Sequence, residues 1–260
     1  MKNERLYTTQ RRNEIVRILR EQGSVSVNQL AERFGVSGTT IRLDLTALES
    51  EGAVSRTHGG ALLSSLAEIE PLIPERRNDN EKNIIARKAV SFIDEHDTIL
   101  VDTGTTMLAL AKALVRSELT HITVYSNDLD VIRTLEEKSG FELHLLGGTI
   151  RNGFHYTFGD QLNTGLDNYH FKKLFLATSA ISLEKGLTTA NSDLAAIKSK
   201  MIAISDEILL LTDSSKMHHV AFRHFADLSS VDTLITDGGV SDNDAIALRQ
   251  AVKNLVIAGE

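Results

Sequence analysis

The sequence has no cysteine, only two prolines in 260 residues, and no apolar run that approaches the roughly 18 residues needed to cross a bilayer. The missing cysteine excludes disulfides, cysteine-ligated zinc and thiol catalysis. The N-terminal residues also lack the apolar segment of a secretory signal. We therefore expect a cytoplasmic protein that does not associate with a membrane, and we predict that it uses no cofactor.

Charge is divided unequally along the chain, whose net charge is −7. Residues 1–60 hold nine Lys and Arg against seven Asp and Glu, a balance of +2, whereas the other 200 residues hold 19 against 28, a balance of −9. The acidic part is a poor nucleic-acid surface. The weakly basic part would hold DNA poorly as one copy, because affinity grows with the number of phosphates neutralised. We therefore expect a homo-oligomer.

Residues 11–60 carry the pattern of a winged helix-turn-helix. Apolar residues at helical spacing predict a first helix that stops at Gly23. Ser26 with Gln29 forms a capping box that opens a second helix, and Gly35 suits the left-handed position that ends it. A third helix and a glycine-containing hairpin, the wing, complete the pattern.

The third helix has the composition of a recognition helix that enters the major groove of DNA. Ser37 caps it, and its apolar side faces the core. Its outward face carries small hydroxyl residues, an arginine and a leucine: Thr39, Thr40, Arg42, Leu43 and Thr46. Double-stranded DNA is therefore the predicted partner. The alternative is that Arg42 and Asp44 only pair or solvate a helix face.

Both prolines, Pro71 and Pro74, fall in residues 62–83, which predicts a linker or hinge there. The predicted domains are residues 1–61, a linker at 62–80, and residues 81–260. In the last domain short runs rich in Ile, Leu and Val alternate with helical patterns, which predicts a parallel sheet covered by helices. The predicted strands are residues 98–102, 122–126, 142–146, 173–178, 208–213 and 233–237.

Polar loops follow four of these strands, at the carboxyl ends where open α/β sheets bind ligands. Residues 102–106 (DTGTT) run directly into a helix, so a glycine, hydroxyls and a helix N-terminus could hold a phosphate. Carboxylate and amide groups could bind sugar hydroxyls, paired glycines allow a ligand to approach the backbone, and basic residues could neutralise a phosphate. The candidates are Asp102, Gly104, Thr105, Thr106, Asn127, Gly147, Gly148, Arg151, Lys198, Asp213 and Lys216. For any single loop, an ordinary strand-to-helix cap is the alternative.

Two sets of residues carry a family resemblance that covers nearly the whole chain. The first comprises Arg11, Ile15, Leu19, Ser37, Thr40, Ile41, Arg42, Asp44, Leu45, Leu48, Glu49 and residues 56–60 (RTHGG). The second comprises residues 102–106, Asn127, residues 146–151 (LGGTIR), residues 186–189, Lys198, residues 213–216 and residues 233–237. Together they resemble the DeoR family of bacterial transcriptional regulators.

The resemblance implies an α/β protein, in which an all-α winged helix-turn-helix is joined to a Rossmann-like domain similar to ribose-5-phosphate isomerases and coenzyme A transferases. It implies that the third helix reads an operator and that the wing touches the duplex, which makes the DNA-binding residues Ser37, Thr39, Thr40, Arg42, Arg56 and His58. It also implies that a phosphorylated sugar or polyol, the effector, binds the second domain of a tetramer. The expected function is a repressor of a carbohydrate or polyol catabolic operon that the effector releases.

One segment departs from the family pattern. Members often carry glycine and aspartate where residues 177–181 here read ATSAI, so a ligand hydroxyl would meet Thr178 or Ser179 instead. We include Ser179 among the effector-binding candidates. The same departure disfavours the main alternative, a sugar-phosphate isomerase-like enzyme fused to a DNA-binding domain, which needs a carboxylate base. Asp102, Asp193 and Asp213 remain possible bases, but we predict no catalytic residue.

Two further alternatives fit less well. An architectural DNA-binding protein without a ligand does not explain the large acidic domain. His218, His219 and His224 lie close together in the sequence, but neither cysteine nor a helical pairing with an acidic residue accompanies them. We predict a solvated loop or a lid there, and no metal site.

Overall fold

The computed structural model describes residues 8–22, 24–50, 54–57, 59–63, 78–151 and 153–259. The chain divides into two compact units at residue 75. In the part of the chain that the structure describes, no helix is long and apolar enough to cross a membrane. The elements of the first unit are α1 (Thr8–Gln22), β1 (Ser24–Ser26), α2 (Val27–Phe34), α3 (Gly38–Ser50), β2 (Val54–Arg56) and β3 (Gly60–Leu63).

The helix boundaries of the first unit follow the predicted capping signals. The Ser26 hydroxyl accepts the amide of Gln29, and the Gln29 side chain accepts the amide of Ser26, which opens α2. Gly35 ends α2 in the left-handed conformation, with φ 62°. The Ser37 hydroxyl accepts the amide of Thr40 at 3.1 Å and so caps α3. The predicted turn between the second and third helices is confirmed.

A small core and a three-stranded antiparallel sheet complete this unit. The apolar faces of the three helices are fully buried together and include Ile15, Leu19, Leu30, Ile41 and Leu45. Strands β2 and β3 form the predicted wing, and the sheet order is β1-β3-β2. Strand β1 was not predicted, because three residues carry no periodic pattern and its partner β3 lies more than 30 residues away in sequence.

The second unit is built on a seven-stranded parallel sheet. Its helices are α4 (Asp79–Val90), α5 (Thr105–Arg116), α6 (Leu129–Leu135), α7 (Asp160–Gly165), α8 (Ser192–Ala203) and α9 (Asp242–Ala251). Its strands are β4 (Thr98–Val101), β5 (Thr123–Ser126), β6 (Glu142–Leu145), β7 (Thr149–Ile150), β8 (Thr157–Phe158), β9 (Phe171–Leu176), β10 (Ala180–Ser182), β11 (Gly186–Thr189), β12 (Ser205–Leu211), β13 (Arg223–Ala226), β14 (Thr233–Asp237) and β15 (Asn254–Ala258). The order of the parallel sheet is β15-β14-β12-β9-β4-β5-β6.

Both faces of this sheet are covered, as expected for parallel strands. Alternate strand residues pack with α4, α5 and α6: Ile99, Val101, Val124, Phe175, Leu209, Leu211 and Ile235. The intervening residues pack with α7, α8 and α9: Leu100, Leu174, Leu176, Ile208, Leu210 and Leu234. The predicted fold class is confirmed: a helix-turn-helix unit precedes a Rossmann-like α/β unit.

Several elements differ from their predicted bounds. Strands β9 and β12 begin two and three residues earlier than predicted, because polar residues such as Lys172 and Asp206 interrupt the apolar runs there. A second sheet of order β10-β11-β13 and the hairpin of β7 with β8 were not predicted. Leu62 and Leu63, predicted as linker, belong to β3, and α4 begins at Asp79, before the predicted end of the linker at residue 80. Residues 64–77, with both prolines, lie outside the described residues, so the linker stays a prediction.

Candidate functional sites

The outward face of α3 is the candidate DNA surface. Thr39, Arg42, Leu43 and Thr46 are all exposed. Their spacing of three, four and seven residues places them on one side of the helix. The side chains of Thr39 and Arg42 make no hydrogen bond or ion pair with another described residue. The predicted recognition face therefore exists as a continuous surface.

Other predicted DNA-binding residues on or near α3 are held by hydrogen bonds within the unit. Ser37 and Thr40 bond to each other through their hydroxyls at 2.9 Å, in addition to the helix cap. Arg56 donates through Nη1 to the Thr46 hydroxyl at 2.9 Å, and its amide donates to Glu49 at 3.1 Å. Arg56 thus ties the wing to α3. His58 lies outside the described residues.

Asp44 faces the interior, although the residue before it, Leu43, is exposed. Its carboxylate accepts from Nε of Arg11 at 2.6 Å and from Nε of Arg12 at 3.1 Å, and its side chain is only 2% exposed. Asp44 therefore joins α3 to α1. The alternative in which Asp44 pairs with Arg42 is wrong, because Asp44 pairs with Arg11 and Arg12 of α1 instead.

In the second unit, Asp102 and Lys198 form a buried ion pair at the carboxyl end of β4. The Lys198 ammonium contacts one carboxylate oxygen of Asp102 and donates to the carbonyl of Ala177 at 3.0 Å. The Ala177 amide donates to the same Asp102 oxygen at 3.0 Å. Lys198 comes from α8, so this contact fixes α8 against the ends of β4 and β9. Its charge, which we expected to neutralise a phosphate, already has a partner in Asp102.

The loop that was predicted to bind phosphate is organised by Asp128, a residue that was not predicted as part of the site. One carboxylate oxygen of Asp128 accepts from the Thr103 hydroxyl at 2.7 Å and from the Gly104 amide at 3.1 Å. The other caps α6 through the amides of Asp130 and Val131. Burial raises the pKa of Asp128, and these hydrogen bonds partly offset the rise. An aspartate before a helical pattern is a typical N-cap, so the signal was present.

The start of α5 presents open space beside Gly104, whose own amide is bound by Asp128. Gly104, with φ 123°, has no atom within 4 Å of the position that a β-carbon would take. Thr105 is half-buried and Thr106 is buried at the first positions of this helix. The first amides of a helix have no carbonyl partner within it, and the helix dipole favours an anion there. The geometry at Gly104, Thr105 and Thr106 therefore suits an anionic group.

Buried acceptors without a donor lie at the same edge of the sheet. Oδ1 of Asp102, Oδ1 of Asn127, Oδ2 of Asp213 and Oγ1 of Thr236 have no hydrogen-bond partner among the described residues. These residues stand at the carboxyl ends of β4, β5, β12 and β14. An unsatisfied buried acceptor costs roughly 1–3 kcal/mol. Hydroxyl groups of a ligand are donors that could satisfy them.

The first turn of α4 reaches the end of β12. Asn78, with φ 62°, donates through Nδ2 to Oδ1 of Asp213 at 2.8 Å and to the Ser215 hydroxyl at 3.0 Å. Lys82, one turn later, is buried; burial lowers its pKa, the Asp213 carboxylate opposes that effect, and the positive charge of Lys216 adds to it. Neither Asn78 nor Lys82 was predicted as a site residue, because Asn78 falls in the predicted linker and Lys82 lies just after it.

The remaining candidates occupy different surroundings. A β-carbon on Gly148 would lie 2.7 Å from the carbonyl oxygen of Phe158, so a glycine is needed there for packing, whereas Gly147 has open space. The Arg151 guanidinium lies 6.0 Å from the centroid of the Phe158 ring. Lys216 is half-buried in the turn that follows β12.

In the ATSAI segment, residues 177–181, Ser179 is better placed than Thr178 to bind a ligand hydroxyl. The Thr178 hydroxyl is directed at the carbonyls of Ala180 and Thr188, whereas exposed Ser179 only meets the Thr189 hydroxyl at 3.3 Å. Ser179 therefore keeps more capacity for a ligand.

Two of the three histidines that lie close together in the sequence, His218 and His224, each pair with an aspartate. His218 contacts Asp244 at 2.9 Å, and His224 contacts Asp227 at 3.2 Å. Among the residues described, no group of three or more potential metal ligands occurs.

A cleft of about 250 Å³ lies elsewhere, between α4 and α5. Its lining residues are Asn83, Arg87, Val90, Ala113, Arg116 and Ser117. None of the predicted site residues lines it. Because α5 starts at the carboxyl edge of the sheet and this cleft lies at the other end of the helix, it is separate from the candidate effector site.

Comparison with known proteins finds a family match for each of the two units. Residues 11–66 match the DeoR-like helix-turn-helix domain, and residues 77–238 match the DeoR C terminal sensor domain. A protein of Escherichia coli O157:H7, whose name assigns it to the aga operon as a transcriptional repressor, is 36% identical over 257 residues, which cover 97% of this chain and 95% of that protein. The chain belongs to the DeoR family.

Other relatives of this DeoR-family chain are also named as repressors. The lactose phosphotransferase system repressor of Streptococcus mutans serotype c is 33% identical over 88% of this chain and 91% of its own length. The HTH-type transcriptional repressor GlcR of Bacillus subtilis is 32% identical over 89% of each chain. The predicted family is confirmed, and the chain is a DNA-binding transcriptional regulator rather than an enzyme.

Among solved structures, ribose 5-phosphate isomerase from Plasmodium falciparum is similar to the chain with a TM-score of 0.40 and 17% identity, over 54% of this chain and 53% of that one.

Proposed function

We propose that this DeoR-family regulator represses an operon for carbohydrate or polyol catabolism, and that a phosphorylated sugar or polyol releases it from DNA. The names of its relatives support the first part, since one is a lactose phosphotransferase system repressor. The main support for the second part is the set of buried acceptors without donors beside the open start of α5.

The two kinds of group at this edge match the two parts of such a ligand. The acceptors on Asp102, Asn127 and Asp213 would take its hydroxyl groups. The amides and hydroxyls of Thr105 and Thr106 would take its phosphate. Lys198 neutralises Asp102, so this carboxylate would not repel the phosphate strongly. Neighbouring parallel strands lie about 4.8 Å apart, so Asp102 and Asp213, two strands apart, span about 10 Å.

The contact of Asn78 with Asp213 and Ser215 offers a route from this site to the DNA-binding unit. Asn78 lies near the end of the predicted linker and directly before α4, so a ligand that changes the surroundings of Asp213 would change how the chain enters α4. The ligand can shift the regulator between two states only by its difference in affinity for them. We propose that the released state binds the ligand more tightly.

We also propose a homo-oligomer, with a tetramer as the expected form, because one weakly basic unit neutralises few phosphates.

A thermal-shift screen of the full-length protein tests the proposal, with sugars and polyols each tried with and without a phosphate group. A ligand at a hundred times its dissociation constant stabilises the folded state by roughly 2.7 kcal/mol, which the screen detects. We expect only phosphorylated compounds to raise the melting temperature, and the best of them to weaken DNA binding. If neutral sugars stabilise the protein equally, or if no compound does, the phosphate-sensing proposal is wrong.

A further inference from the structure

Leu43 is a large apolar side chain displayed on the recognition helix. It is 65% exposed, whereas Ile41 and Leu45 on either side of it are fully buried in the core of the unit. It lies one residue after Arg42 and one helical turn after Thr39, so the three share the outward face of α3. Leu43 therefore adds an apolar group to a surface that otherwise carries hydroxyls and a guanidinium.

Most of the hydroxyls on this helix are already used. Those of Ser37 and Thr40 form the cap of α3. The Thr46 hydroxyl donates to the carbonyl of Arg42 at 2.8 Å and accepts from Arg56. Among the described residues of this face, the side chains of Thr39, Arg42 and Leu43 remain available for contacts with a partner.

The partner of this face is DNA, and the major groove offers one apolar feature among its donors and acceptors. That feature is the C5 methyl group of thymine. Arg42 can bind a guanine or a phosphate, but Leu43 can make only an apolar contact. We propose that Leu43 is a base-reading residue of this regulator and recognises the methyl group of a thymine in each half-site. This inference depends on DNA binding and not on the identity of the effector.

Replacement of thymine by deoxyuridine tests the proposal, because it removes only the methyl group. Binding sites are first selected with the full-length protein from a pool of random-sequence DNA duplexes. Each thymine of the selected site is then replaced in turn by deoxyuridine, symmetrically in both half-sites. We expect one position at which affinity falls about fourfold per half-site, the effect of losing one buried methyl-sized group. With Leu43→Ala, the same replacement should cost nothing further, because the side chain that sensed the methyl group is gone.

Ile246→Ala is the matched control, since Ile246 is also an apolar helix residue, 56% exposed, but lies in the other unit. This variant should keep the full penalty for deoxyuridine. Leu43→Ala should retain the melting temperature of the parent, so a loss of methyl sensing cannot be ascribed to unfolding.

Three results would overturn the proposal. The first is that replacement of thymine by deoxyuridine lowers DNA affinity by the same factor in the parent and in Leu43→Ala at every position. Another is a loss of affinity in Leu43→Ala by one factor on all duplexes, which would place Leu43 against the sugar-phosphate backbone or another protein surface. The third is a selected site without thymine. If the parent protein selects no sequence at all, DNA reading itself fails, which is a distinct result.

Discussion

Gly60 lies so close to Val25 that a β-carbon on Gly60 would sit 2.1 Å from the Val25 carbonyl oxygen. The close approach occurs where β3 pairs with β1, in the register that sets Gly60 opposite Ser26. The neighbouring Gly59 has nothing within 4 Å of the equivalent position. Of the two adjacent glycines of the wing, only the second is thus required by packing.

Gly60→Ala should therefore destabilise the DNA-binding unit, whereas Gly59→Ala should not. The obstacle is backbone and cannot rotate away, so we expect a loss of about 1–3 kcal/mol, the usual cost of overpacking. DNA affinity should fall with it. Urea unfolding and gel-shift titration of both variants check this. Equal behaviour of the two variants would show that the pairing of β1 with β3 adapts.

Asp44→Ala should destabilise the same unit for a different reason. The change removes the carboxylate that Arg11 and Arg12 share, and breaking a buried pair costs roughly 3 kcal/mol or more. Arg42→Ala is the control on the same helix. Its side chain is exposed, so the free energy of unfolding should stay within about 0.5 kcal/mol while DNA binding is lost. If Asp44→Ala retained its stability and lost only DNA binding, Asp44 would have a direct role in reading DNA.

These two contacts show where sequence patterns stopped being informative. The caps at Ser26 and Ser37 and the turn at Gly35 were predicted because each depends on residues within four positions. The pairs of Arg11 with Asp44, and of Gly60 with Val25, join residues more than 30 positions apart, so no local pattern marks them. The exposed face of α3 was predictable, whereas the contacts that support it were not.

In the second unit, too, the positions of residues along the strands were predictable, whereas contacts between distant elements were not. The carboxyl-end rule predicted that Asp102, Asn127 and Asp213 stand at one sheet edge, because parallel strands place their ends together. It could not predict that Lys198 would be bound by Asp102 or that Asn78 would reach Asp213. Those contacts depend on how α8 and α4 pack across the sheet.

The pair of Lys173 with Asp97, at the amino ends of β9 and β4, predicts a pH dependence of stability. Burial alone would lower the pKa of Lys173, but hydrogen bonds to Asp97 at 2.6 Å and Asp94 at 3.2 Å outweigh it and raise the pKa above the ordinary 10.5. Burial alone would raise the pKa of Asp97, but hydrogen bonds from the Asp94 amide and Lys173 bring it below the ordinary 3.8.

The stabilisation from Lys173 is complete below pH 10.5 and is lost as the pH rises through its higher folded-state pKa. The stabilisation from Asp97 is present above pH 3.8 and is lost as the pH falls through its lower folded-state pKa. The difference in unfolding free energy between the parent and Lys173→Met should therefore be constant from about pH 5 to 9 and shrink outside that range. Urea titrations at several pH values measure it. Lys172 also lies 3.8 Å from Asp97, but its side chain is 69% exposed, so Lys172→Met should show a much smaller effect than Lys173→Met at every pH. Profiles of equal size for both variants would contradict the assignment.

Thr105→Val should separate ligand sensing from DNA binding. The change removes one hydroxyl from the start of α5 and keeps the shape of the side chain, so phosphate affinity should fall about tenfold or more, as expected for a charge-assisted hydrogen bond. DNA binding without ligand should match the parent. Fluorescence anisotropy with labelled DNA, titrated with the best phosphorylated compound, measures both. Thr98→Val, at the exposed amino end of β4, is the control. An unchanged response in Thr105→Val would place the phosphate elsewhere.

Asn78→Ala tests whether the start of α4 carries the response to the DNA-binding unit. Asp213 keeps its hydrogen bonds from Ser215 in this variant, so the ligand site should remain and the ligand should still raise the melting temperature. What should weaken is the coupling: the ligand should reduce DNA affinity by a smaller factor than in the parent, because the link between Asp213 and Asn78 is gone. Asn83→Ala, on the same helix but in the separate cleft, should retain full coupling. If Asn78→Ala released DNA as fully as the parent, the response would have to leave the sensor through another element; if it lost ligand binding as well, Asn78 would belong to the site itself.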